Sequence, residues 1–179
     1  GAAGTATSIA GVTFYVGQSG SIYTTDVSGT DDSAENNTAF GTAALDAITT
    51  GDNNMAFGEN ALGSNTTGSS NLAIGTNALD ACDTESNNLA IGRDALGGSV
   101  AGGELNVCVG NYTGDAITSG DNNVFVGYNT GSGTTTGASN FGFGYQALNV
   151  NSEGSRNIGI GHGAVQSSDT ENDNIGIGY

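Results

Sequence analysis

Proline and tryptophan are absent from all 179 residues, lysine and arginine together number two, and there is one histidine. Without proline, every backbone N–H stays available for ladder hydrogen bonds, as a continuous stack of strands requires. Two cationic side chains against 18 acidic ones give a formal charge of −16. That balance repels phosphate backbones and anionic lipid surfaces, so nucleic-acid binding is excluded as a function class. No apolar run is long enough to span a bilayer and no basic-plus-apolar leader is present, so no membrane insertion is expected. Gly1 reads as a mature N-terminus or the start of an expressed fragment.

Cysteine is scarce too. Cys82 falls in a loop and Cys108 in a strand two repeats later, an axial offset of roughly 10 Å at strand spacing, which exceeds disulfide reach. One histidine and two separated cysteines also leave zinc without a ligand set.

What the chain does have is a five-residue unit repeated nine times: Asn, large apolar, small, large apolar, Gly. It runs from Asn37-Thr-Ala-Phe-Gly41 through Asn71-Leu-Ala-Ile-Gly75 and Asn106-Val-Cys-Val-Gly110 to Asn174-Ile-Gly-Ile-Gly178. The closing glycines recur at 17 residues, with one spacing of 18. A fixed period with an invariant frame means stacked repeats, and the predicted fold is an all-β parallel β-solenoid, or β-roll, of about nine 17-residue coils. Residues 36–179 form the repeat domain. Residues 1–35 are an irregular N-terminal coil, cap or docking segment. There Val12 to Gly17 reads as an atypical first coil, followed by a seven-residue insertion in Asp26 to Glu35.

Side chains alternate along a strand, so the second and fourth residues of each unit share a face. Being large and apolar, that face is predicted to be the core: Phe40, Phe57, Ile74, Ile91, Val109, Val126, Phe143, Ile160 and Ile177, each with its partner two residues earlier. The small residue then points outward, where Ala39, Ala73 or Gly142 lets another backbone approach. Nine asparagines, Asn37, Asn54, Asn71, Asn88, Asn106, Asn123, Asn140, Asn157 and Asn174, predict an amide ladder along the axis. An Ala-Leu pair such as Ala44-Leu45 follows most units, and a polar turn such as Thr50-Gly51-Asp52-Asn53 returns the chain. Thr113-Gly114 and Thr130-Gly131 replace Ala-Leu. Ile117 offers a substitute anchor for the first, and none is evident for the second.

Asn71 to Gly75 and Asn88 to Gly92, each followed two residues later by Ala-Leu, resemble the head repeats of YadA-like trimeric autotransporter adhesins. Asn37 to Gly51 is equally similar to repeats of phage tail fibres. The resemblance covers 36–179 and implies a β-roll rod outside a cell or virion, with three chains side by side or intertwined. The period here is longer than in the adhesin heads, and no coiled-coil stalk, membrane anchor or chaperone tail is evident.

Chemistry for catalysis is thin. His162 near Ser167, Ser168 and Asp169 lacks the strand-to-helix elbow of a nucleophile, so no enzyme is expected. No cofactor is expected either, calcium being the one cation left open: Glu35, Asp52, Glu104 and Asp121 share a turn phase, although serine or alanine holds it elsewhere. The column after each glycine ends in Tyr128, Tyr145, His162 and Tyr179, either an aromatic ladder or a candidate binding stripe for a surface glycan or protein receptor. Thr50, Thr67, Thr84, Thr136 and Thr170 raise ice binding as a further class, but Ser119, Gly102 and Glu153 break the column.

The expectation is an extracellular structural fibre or adhesin segment, partnered by itself as a homotrimer. The rival is a filament subunit polymerising end to end through open strand edges at both ends of the array.

Overall fold

The computed structural model describes residues 7–9, 12–17, 20–24, 33–98, 103–167 and 169–179. Among them there is no helix. Twelve short strands form one sheet in sequence order. Nine belong to the repeats: β4 (Thr38–Phe40), β5 (Met55–Phe57), β6 (Leu72–Ile74), β7 (Leu89–Ile91), β8 (Val107–Val109), β9 (Val124–Val126), β10 (Phe141–Phe143), β11 (Ile158–Ile160) and β12 (Ile175–Ile177). They pair in parallel, each residue on its counterpart one repeat later: Phe57 on Ile74, Ile74 on Ile91. The repeats therefore form a β-solenoid of eight full turns between these nine strands.

The register fixes what each position can be. The closing glycines have φ between 124° and 143°, and a Cβ on Gly41 would lie 2.2 Å from the Gly58 carbonyl oxygen. Only glycine fits a left-handed bend stacked on its own copy at strand spacing. The unit asparagines from Asn37 to Asn157 are buried and bridge coils. Asn37 Nδ2 donates to the Gly51 carbonyl at 2.7 Å, while its Oδ1 accepts the Asn54 backbone N–H at 2.8 Å. The ladder is thus mainly side chain to backbone. Amide-to-amide bonds occur where Asn123, Asn140 and Asn174 donate to the preceding asparagine, at 3.1, 3.1 and 2.9 Å.

The facing of the strands is the reverse of the sequence expectation. Ala39, Ala56, Ala73, Ala90, Cys108 and Phe125 are fully buried, whereas Phe40, Phe57, Ile74, Phe143 and Ile177 are 39, 53, 38, 52 and 75% exposed. Ile91, Val109, Val126 and Ile160 are only half-buried. The nine large residues assigned to the core are therefore its outer wall. The cause is room. Leu45, Leu62, Leu79, Leu96 and Leu148, all buried, occupy the interior from the opposite side. That leaves space for one small side chain per strand: on Gly159 even a Cβ would sit 2.8 Å from the Ala164 carbonyl oxygen.

The two coils without Ala-Leu follow the same rule. A Cβ on Gly131 would fall 2.4 Å from the Phe125 ring, and one on Gly114 would lie 2.7 Å from Cys108 Sγ and 3.2 Å from Ile117 Cδ1. Phe125 fills the volume a leucine fills elsewhere, while Cys108 and Ile117 share that task one coil earlier.

The N-terminus also differs from expectation. Val12–Val16 (β2) is antiparallel to Ile22–Tyr23 (β3) and to Thr7–Ile9 (β1). The first coil strand is β3, whose Ile22 pairs with Thr38 sixteen residues on, so Val12 to Gly17 is a cap and no insertion separates it from the repeats. Alternation alone does not encode strand direction, which is why β2 passed for a coil. Much of the expected insertion, residues 25–32, lies outside the described residues. Tyr23 is buried in the inner column, and Ser21 replaces the asparagine, its Oγ accepting the Asn37 N–H at 3.0 Å. The N-terminal edge of the parallel array is thus covered rather than open.

Phe125→Ala should cost about 3–5 kcal/mol, the usual loss for a buried ring. Adding Gly131→Leu rebuilds the Ala/Leu pairing of the other coils and should recover at least half of that in urea unfolding, whereas Gly131→Leu alone should destabilise.

Candidate functional site

The feature with most to offer a partner is the outer face of β4–β12. Its eighteen outward positions, two per strand, are apolar except Thr38, and none is buried. At strand spacing the two columns run for about 40 Å. The Phe40 and Phe57 rings stack at 5.2 Å and 9°, and Phe14 of β2 meets Phe40 at 5.8 Å, so the cap continues the face. Contiguous apolar surface on this scale is uncommon on a monomer and marks contact sites.

Beside it stands the ring column. Tyr128 and Tyr145 stack at 5.6 Å, Tyr145 and His162 at 4.9 Å, His162 and Tyr179 at 4.9 Å, with interplanar angles of 9, 11 and 5°. Tyr112 meets Tyr128 edge-on at 5.8 Å, and the Arg93 guanidinium lies 5.7 Å from the Tyr112 ring centre. The faces of Tyr145 and His162 are therefore occupied by neighbouring rings, and the column presents edges outward. This geometry favours the ladder role over sugar stacking, which needs a free ring face.

The shared acidic phase is a second hydrogen-bond ladder. Asp52 Oδ1 accepts the Glu35 N–H and Asp121 Oδ1 the Glu104 N–H, both at 2.8 Å. Where serine takes the phase it does the same: Ser69 Oγ accepts the Asp52 N–H at 2.9 Å and Ser86 Oγ the Ser69 N–H at 3.0 Å. Among the described residues, no three His, Cys, Asp or Glu side chains gather as a cation would need. Asp80 and Asp115, not singled out from the sequence, flank the coil of Gly97. Burial pushes both carboxyls above the usual range, with Asp94 adding to it, and each Oδ1 is buried without a hydrogen-bond partner.

His162 stands in the ring column, and Asp169 accepts a hydrogen bond from Ser152 Oγ. Ser168 lies outside the described residues. The hydroxyls of Thr49, Thr118 and Thr135 are spent on the carbonyl one coil on, at 2.9, 3.2 and 3.0 Å, while Thr50, Thr67 and Thr136 are exposed. Cys82 and Cys108 are free and buried. Burial pushes the Cys82 thiol up to about 12, with Glu85 adding to it, and pushes Cys108 up as well.

Comparison with family models, with curated proteins and with solved structures finds no match to this chain.

Two outcomes follow from this geometry. Replacing both Tyr128 and Tyr145 with Ser removes three ring contacts and should cost roughly 1.5–4.5 kcal/mol in urea unfolding, at about 0.5–1.5 per pair. The far-ultraviolet circular dichroism should be retained, and loss of attachment to a cell surface with unchanged stability would instead assign the column to binding. Both thiols should be silent to a thiol reagent at pH 8 until the protein is unfolded. Because their folded pKa values lie above the unfolded value of about 8.5, the stability they contribute is full below that pH. It should fall as pH rises toward 12, a loss that Cys82→Ala reduces in alkaline denaturation.

Proposed function

We propose that this chain is a non-enzymatic structural segment of an extracellular fibre or adhesin, a rigid rod that associates with further copies of itself, as a homotrimer. The observation carrying this reading is the outer face of β4–β12: two apolar columns, unbroken but for Thr38 and left uncovered by the chain itself. A flat face that repeats at strand spacing is matched along its whole length by another face of the same spacing, and a second copy supplies one. Placement outside a cell or virion rests on the likeness of the Asn-Leu-Ala-Ile-Gly units to adhesin heads and tail fibres.

The rival, a filament growing by end-to-end stacking, is the weaker reading because the two ends of the sheet differ: β1 and β2 are antiparallel strands at the N-terminal end, whereas β12 ends a parallel array, so a second copy does not continue the parallel stack in register.

Phe57→Asp with Phe143→Asp places two charges on the outer face and leaves the interior untouched. The variant should keep its circular dichroism spectrum and sediment as a single chain, whereas the parent sediments as an oligomer. A parent that sediments as a single chain, or a variant that stays oligomeric, would refute assembly through this face.

A further inference from the structure

The outer face has a property that follows from the charge inventory rather than from its shape. Association of two copies through it can draw on apolar contact, but it has almost no cation with which to build ion pairs across the junction. The chain's only two cationic side chains are arginines, and both are engaged within their own chain. Arg93 Nε lies 3.1 Å from Asp94 Oδ2. Arg156 forms a two-pronged pair with Asp173, Nε to Oδ1 at 2.6 Å and Nη2 to Oδ2 at 2.9 Å. The single histidine is held in the ring column.

Acids, by contrast, border the face, chiefly on the flank ahead of the strands. Asp52, Glu104 and Asp121 sit in the turns just ahead of β5, β8 and β9, and Glu59 follows β5 one residue beyond its glycine. Glu59 and Glu104 are exposed. Each arriving copy brings a charge of −16 to a junction edged with the same sign. The attraction is short-ranged and insensitive to salt, whereas the repulsion is long-ranged and screened by it.

Resting on the self-association reading above, we propose that the outer face of β4–β12 is a salt-gated junction: copies repel at low ionic strength and close on one another once mobile ions screen their acidic flanks. This is opposite in sign to an ordinary charge-complementary interface, which loosens as salt is added. The partner it selects is a surface with a matching apolar face, and the gate is the concentration of small ions.

The test measures the association constant of the full chain by sedimentation velocity in 10 and 150 mM sodium chloride. The screening length falls from about 30 Å to about 8 Å over this range. The expected result is association at least about tenfold tighter at the higher salt. A variant carrying Asp52→Asn, Glu59→Gln, Glu104→Gln and Asp121→Asn, with its fold checked by circular dichroism, should bind at 10 mM nearly as tightly as the parent does at 150 mM. Association that is flat or weaker with added salt would overturn the gate while leaving self-association standing. A single-chain mass at both salt concentrations would overturn both.

Discussion

The interior of each coil is thin, and that constraint orders most of what the chain does. Strand and return segment approach so closely that their inward side chains must share one volume, Ala73 against Leu79 in a typical coil and Phe125 against Gly131 in an exceptional one. Large residues at the second and fourth strand positions have no place inside and form an apolar outer wall. Thus the narrowness that lets a short chain make a closed coil also leaves it with an apolar outer surface. Core and outer face are two sides of the same three-residue strand.

Holding the coils in register falls to buried polar groups. Each unit asparagine from Asn37 to Asn157 satisfies a turn carbonyl of its own coil and the backbone N–H of the next unit asparagine. An aliphatic residue there would leave both unpaired at about 1–3 kcal/mol each. Serine and aspartate before the strands repeat the arrangement nearer the surface. Hydrophobic contact sets how tightly the coil closes, and these amide and hydroxyl bonds set which coil stacks on which.

The period, the parallel stack, the asparagine ladder and the bend at each glycine were legible in the sequence, because each depends on one position repeating. Facing was not. Alternation places Leu72 and Ile74 on one side and Ala73 on the other, but does not say which side is closed, and the rule that large apolar residues lie inside gives the wrong answer. The correcting signal was present in a pair of columns. Wherever the leucine after the unit becomes glycine, at Gly114 and Gly131, the small strand residue enlarges to Cys108 and Phe125. Two positions that trade volume must touch. The ring column was readable as a stripe, yet its stacking needed coordinates, since spacing alone does not tell a face from an edge.

One backbone feature bears on how such a molecule comes apart. In most turns three residues besides the unit glycine adopt left-handed conformation, and many carry full side chains: Asn77, Leu79 and Asn87, for instance, at φ of 55, 52 and 63°. Each such residue opposes the local preference of the chain by about 1–2 kcal/mol, less for asparagine. An isolated turn therefore has no tendency to form, and it persists only while a neighbour templates it. Unravelling then proceeds from the ends inward like a zipper, and the middle coils are the last to let go.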